Sequence, residues 1–214
     1  MDGVIDIEQA RAMVADKALW PRIRDFLWDF ASQIHADWKA ELAIPAGLDT
    51  PRTRRYVLDV LGVAPCFHGF PKEDGSRLLL LDAATLESVA KWIGALACAE
   101  SLRRVTDGAT VRELKKELPG VYPEVFGYTA YFREFDSRGA AEAQRLEERV
   151  PEIGCGILLA AVAGLPKPLV SRLKFKLPKK LCAAAPLRET KIKYPVILKL
   201  LKLKFPEAYA ICCS

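Results

Sequence analysis

A chain of 214 residues, 51% apolar and 28% charged, has enough hydrophobic surface for a packed core, which excludes a disordered protein and fits one compact domain or two small lobes. The net charge of +5 is unevenly spread: residues 165 to 204 carry twelve Lys or Arg against Glu189 alone, a net of +11, so with Glu207 beyond them the first 164 residues carry −5. The longest apolar run, Ile153 to Leu165 with three glycines, is far shorter than the ~20 residues of a membrane span.

Helical punctuation recurs along the chain and alternating strand patterns are nearly absent, so the expected fold is all-α, an irregular or orthogonal helical bundle. After an opening segment, Ile7 to Leu19, Pro21 suits a first helical turn. Trp20, Ile23, Leu27, Phe30, Ile34, Trp38 and Leu42 then follow at three- and four-residue steps, predicting one helix that ends before Pro45. Thr50-Pro51 caps and opens a helix over Arg52 to Leu61. Gly62 to Ser76 is a loop, and Leu78 to Leu81 is either a short β segment or the entry to the next helix.

Asp82 is the expected N-cap of the strongest helix, Ala83 to Val105, with Leu86, Val89, Ala90, Ile93, Leu96, Ala97 and Leu102 as its buried stripe. Gly94 and Ala97 thin that stripe, predicting a second helix packed closely there. Asp107-Gly108 stops the helix, and Thr110-x-x-Glu113 has the form of a capping box for a helix over Val111 to Leu118 that ends at Pro119-Gly120. Tyr122 to Phe135 is expected as an aromatic, half-buried helix and Ser137 to Val150 as a charged, solvated one. Pro151 then opens the apolar stretch Ile153 to Gly164. Beyond it, Pro166, Pro168, Pro178, Pro186 and Pro195 divide the chain into short helices. The expected division is a helical lobe over 1–164 with a basic, proline-interrupted lobe over 165–214 packed on it, and there is no internal repeat.

Catalytic and cofactor motifs are lacking: there is no phosphate-binding glycine loop, nucleophile elbow or His-Glu-x-x-His zinc helix. Of the two histidines, His35 sits beside apolar Ile34 on an expected helix, and Cys66-x-His68 lacks the second ligand pair of a tetrahedral zinc site. The acidic N-terminus lacks the basic and apolar order of a secretory signal, so the thiols at 66, 98, 155, 182, 212 and 213 are expected to be free. Adjacent Cys212 and Cys213 form a reactive or buried pair rather than a disulfide with each other. No enzymatic activity, cofactor or metal is expected.

The basic C-terminal segment admits three readings. On a helix, Tyr194, Ile197, Leu198, Leu201 and Phe205 share one face, with Lys191, Lys199 and Lys202 on its flank. Such a helix packs in a core with lysine stems along apolar surface, binds anionic lipid or nucleic acid, or steers an acidic protein partner. Few arginines and aromatic residues weigh against nucleic acid.

Leu86-Glu87, Leu96, Glu100 and Arg103-Arg104 on one helix resemble the central segment of the SctK family (YscK/OrgA type) of type III secretion proteins. A second stretch, Gly156-x-x-Leu159-Ala160-Ala161, Pro168, then Arg172-Leu173-x-x-x-Leu177-Pro178, is similar to a later run in that family. Leu200-x-Lys202-x-x-x-Pro206 echoes its last helix. The similarity covers residues 86 to 210, while the aromatic segment Tyr122 to Phe135 has no counterpart. It implies a non-enzymatic adaptor of the cytoplasmic sorting platform at the inner-membrane face, bridging the SctD cytoplasmic domain and the pod protein SctQ and reaching the SctL–ATPase assembly through SctQ. Nucleic acid is not among its partners, and the membrane is met only through the apparatus. Partner-binding candidates are Glu100, Arg103, Arg104, Arg172, Lys174, Lys176, Lys179 and Lys180. Glu100 and Arg104 also suit an ordinary ion pair one turn apart, leaving Arg103 for a partner, and Arg172 also suits a packed helix end before Pro178. A membrane- or nucleic-acid-binding protein using residues 165 to 204 is the alternative function, and a helical enzyme the third.

Overall fold

The computed structural model describes residues 19–42, 50–63, 75–132, 146–184 and 194–213. Every element among them is helical: α1 (Trp20–Trp28), a first 3-10 turn (Phe30–Gln33), α2 (Ala36–Glu41), α3 (Pro51–Val60), a second 3-10 turn (Ser76–Leu80), α4 (Ala83–Ala97), α5 (Ala99–Arg103) and α6 (Gly108–Glu117). Two further 3-10 turns (Glu124–Gly127, Thr129–Tyr131) follow, then α7 (Leu146–Ala161), α8 (Lys167–Lys176), α9 (Lys179–Ala184), α10 (Tyr194–Lys204) and α11 (Pro206–Cys213). The all-α expectation holds, and Leu78 to Leu81 enters the next helix through a 3-10 turn rather than as a strand. Expectations that fall on residues 7–18, 64–74 and 133–145, or on Pro186, lie outside the described residues, Cys66 and His68 included.

α4 is the centre of the molecule. Asp82 accepts from the Thr85 backbone N–H at 2.8 Å and from its hydroxyl at 2.8 Å, closing the first turn. From Leu86 to Ala97 the helix is buried on nearly every side, as suits a helix inside a core. It makes its most extensive contact with α7. A Cβ placed on Gly94 would lie 2.8 Å from the Val150 carbonyl carbon and closer still to its oxygen. One on Gly154 would lie 2.6 Å from the carbonyl carbon of Ala90. The helices therefore cross backbone against backbone at reciprocal glycines, the close approach expected from the thin stripe. Pro151 lies inside α7 instead of opening it. One hydrophobic core runs from Leu19 to Cys212 across residue 164.

Four local expectations are corrected. The helix expected over Ala83 to Val105 breaks at Cys98 into α4 and α5 and ends at Arg103. The long N-terminal helix breaks at Asp29 and Ile34 into α1, a 3-10 turn and α2. Tertiary bonds replace helical ones there: Arg54 pairs with Asp29, and the His35 backbone N–H donates to Phe175 O at 2.9 Å. The expected capping box is an Asp107 cap, whose carboxylate accepts the Thr110 N–H at 2.7 Å and starts α6 at Gly108. The described residues of Tyr122 to Phe135 form two 3-10 turns in place of a helix. Beyond Gly164 the prolines do open short helices: Pro166 precedes α8, Pro178 precedes α9, and Pro195 and Pro206 lie in the first turns of α10 and α11.

Candidate functional site

The eight candidate residues divide into three environments. Arg172 and Lys176, one turn apart on α8, are core residues at 0% and 1% exposure, so they are corrected from partner contacts to structural groups. Arg172 donates to Phe26 O and, at 3.2 Å, to Leu27 O, and its guanidinium lies over the rings of Phe26 and Phe30 at 5.4 and 5.0 Å. Lys176 Nζ donates to Leu79 O at 2.6 Å and Leu81 O at 2.9 Å, 5.0 Å from the Phe26 ring. The carbonyls they serve end α1 and the second 3-10 turn, where helical partners run out and cations are favoured. In return the end of α8 is served by the N-terminal segment, the Trp38 indole donating to Leu177 O at 3.0 Å. Burial pushes the Lys176 ammonium down to about 7, a drop that Asp82 moderates and that Arg172 and Arg22 reinforce. The packed-helix-end reading of Arg172 is thus the one its contacts support.

Lys174 and Lys179 form the second environment, a partly solvated surface around Trp38. Lys174 Nζ lies 6.0 Å and Lys179 Nζ 5.4 Å from that ring, and Lys179 also pairs with Glu41. Lys180 is exposed next to them.

Glu100, Arg103 and Arg104 make the third, on α5 and just after it. Glu100 and Arg103 line a cleft of about 310 Å³ together with Leu96, Ala97, Thr129 and Phe132. Arg103, expected to stand free, donates to Thr129 Oγ1 at 2.7 Å and lies 5.6 Å over the Phe126 ring. Arg104 pairs loosely with Glu100 at 3.8 Å, both side chains more than 70% exposed. Tyr131, 60% exposed, follows the Thr129–Ala130 rim.

A larger cleft, about 590 Å³, escaped the sequence reading because its walls come from segments far apart in the chain. Arg22 and Asp25 of α1, His35, Asp82 and Glu87 line it. Four of its polar groups are already engaged. Asp25 pairs with Arg24 at 2.9 Å and Glu87 with Lys91 at 2.8 Å. Asp82 caps α4, its carboxyl held below the usual range: partial burial pushes it up, but the bonds from Thr85 outweigh that. His35 Nδ1 accepts the Asp37 N–H at 3.2 Å and caps α2. Among the described residues no group of three His, Cys, Asp or Glu could hold a metal ion. The described cysteines are free thiols, with burial pushing Cys98, Cys182 and Cys212 up to about 11, which leaves them poor nucleophiles.

The lysines of the C-terminal helix are largely spent within the fold. Lys199 donates to Tyr131 O at 2.6 Å and lies 5.3 Å over the Phe132 ring, and Lys202 lies 5.9 Å over Tyr209. Lys204 pairs with Glu124 and is boxed by Trp92 at 4.4 Å and Tyr128 at 4.2 Å, two rings standing nearly perpendicular to each other. Through Lys199 and Lys204, α10 reaches Glu124, Tyr128, Tyr131 and Phe132 of the aromatic segment that has no counterpart in the resemblance. No helix among the described residues is long and apolar enough to cross a membrane. Comparison with protein-family models, with curated proteins and with solved structures returns no match to this chain.

Proposed function

We propose that this chain is a non-enzymatic adaptor of the SctK type, seated at the cytoplasmic face of the inner membrane and bridging the SctD ring component and the SctQ pod protein of a type III secretion sorting platform. The observation that carries the reading is that α4 and α7, which bear parts of the two stretches of resemblance, make the most extensive contact in the molecule. Leu86, Leu96, Gly156, Arg172, Leu173 and Leu177 are all buried, so the pattern they spell is the pattern of a fold. The exposed members of the same pattern, Glu100 and Arg103, frame a side-chain-sized cleft on that rigid base, suited to gripping a partner residue.

Pull-down with the SctD cytoplasmic domain and SctQ of the same organism tests the reading. Binding of both is expected, the Glu100→Arg and Arg103→Glu variants should weaken one of them, and failure to bind either refutes the adaptor. The alternative, a lipid- or nucleic-acid-binding protein, loses support because Arg172, Lys174, Lys176, Lys179, Lys199, Lys202 and Lys204 are each held by carbonyls, carboxylates or rings of this chain. Co-sedimentation with anionic liposomes or duplex DNA at low and high salt should show little salt-sensitive binding.

A further inference from the structure

α3 turns Val57 inward, buried to 4%, and is pinned to the first 3-10 turn by the Arg54–Asp29 ion pair. The positions three and four apart along its other side, Arg52, Arg55, Tyr56, Asp59 and Val60, are all exposed, Tyr56 by 56% and Val60 by 49%. Arg52 and Arg55 enter no ion pair with a described residue. The other large apolar side chains exposed among the described residues, Tyr131 and Leu203, belong to other elements.

The needs of the fold do not explain this face. Arg52 stands in the first turn, where a cation opposes the helix dipole and no acidic residue offsets it. Tyr56 and Val60 leave much of their apolar surface in water. Arginine and tyrosine around an apolar centre is the composition of the patches that dominate protein interfaces.

We infer that this face of α3 docks an acidic amphipathic helix of a partner protein, whose carboxylates one turn apart meet Arg52 and Arg55 and whose apolar side chain covers Tyr56 and Val60. Charge selects this occupant. The face carries two guanidiniums against the single carboxylate of Asp59, so a second copy of the same face would gather an excess of positive charge, whereas paired Glu or Asp residues neutralise it in two-point hydrogen bonds. The surface deepens the adaptor reading, on which it rests for its setting, by giving one partner a chemistry. Pull-down of whole partners tests the adaptor, while peptides test α3 by itself.

Two fluorescent amphipathic peptides serve as probes, one with glutamates four apart flanking leucines and a twin with lysines in their place, titrated into the full chain by anisotropy. The glutamate peptide should bind, and R52E/R55E should weaken it by more than about tenfold. K115E/K116E, the same charge change on α6, should leave binding unaltered, and the lysine twin should prefer the R52E/R55E chain. Circular dichroism confirms folding of the variants, with R52Q/R55Q as a milder second pair. Equal binding by the reversed chain, or no binding of the glutamate peptide by the native one, overturns the inference. So does loss of binding to phosphatidylglycerol vesicles or duplex DNA in R52E/R55E with peptide binding unchanged, or a concentration-dependent dimer in sedimentation that R52E/R55E abolishes.

Discussion

At the crossing of α4 and α7 the helices meet with no side chain between them, whereas α8 meets α1 and the second 3-10 turn through two buried cations. The first joint draws on close packing, which tolerates no added atom. The second draws on hydrogen bonds to carbonyls that helix ends leave open, and carries the penalty of taking charge out of water. The residues that meet at the crossing, Ala90, Gly94, Val150 and Gly154, carry no titratable group, while the cationic joint responds to pH. A molecule fastened both ways has a rigid centre and an N-terminal segment whose attachment can be tuned.

The largest expected effect comes from forcing the crossing apart. Gly94→Val should destabilise by about 3 kcal/mol or more in urea unfolding, because its side chain has only the Val150 carbonyl to move into. In the double variant G94A/G154A the loss should be smaller than the sum of the single losses, since one separation serves both; additive losses would show that the glycines do not share a contact.

At the cationic joint, Arg172→Met removes the donor to Phe26 O and Leu27 O and the stacking on two rings. It should lower stability by about 2–3 kcal/mol, with hydrogen exchange rising in the α1 amides before those of α4. Exchange rising uniformly would argue that the joint is not local to α1.

Lys176 gives the same joint its pH dependence. Its folded-state value, about 7, lies below the ordinary lysine value of 10.5, so between those limits the unfolded chain binds a proton that the native chain has released. Its contribution to stability is therefore lowest below pH 7 and rises with pH up to about 10.5, by at most about 1.4 kcal/mol per unit. Melting curves from pH 6 to 10 should show this rise in the native chain and not in Lys176→Met.

A smaller effect is expected where α10 docks. Lys204→Met loses the Glu124 pair and the ring contacts, about 1–2 kcal/mol, read as faster exchange in α10 and α11. Smallest of all, Glu100→Ala should change stability by less than about 0.5 kcal/mol, because its pair with Arg104 is long and solvated, while weakening partner binding.

What the chain determined by itself was local. The Thr50 and Asp82 caps each act on residues within one turn of themselves, and the 3.6-residue period displays the stripe from Leu86 to Ala97 and the glycine that thins it directly. The exposed pair Glu100 and Arg104 was legible for the same reason. What only the tertiary structure decided were bonds between distant segments. Arg172 admitted both a partner contact and a packed helix end because the carbonyl it serves is 146 residues away, and Lys176 finds its acceptors 95 and 97 residues away. The break at Asp29, the 3-10 turns of the aromatic segment and the boxing of Lys204 have the same origin. Helical periodicity records which side of a helix is buried, but a backbone carbonyl leaves no trace in the sequence, so the destination of a cation that serves one appears only when the chain has folded.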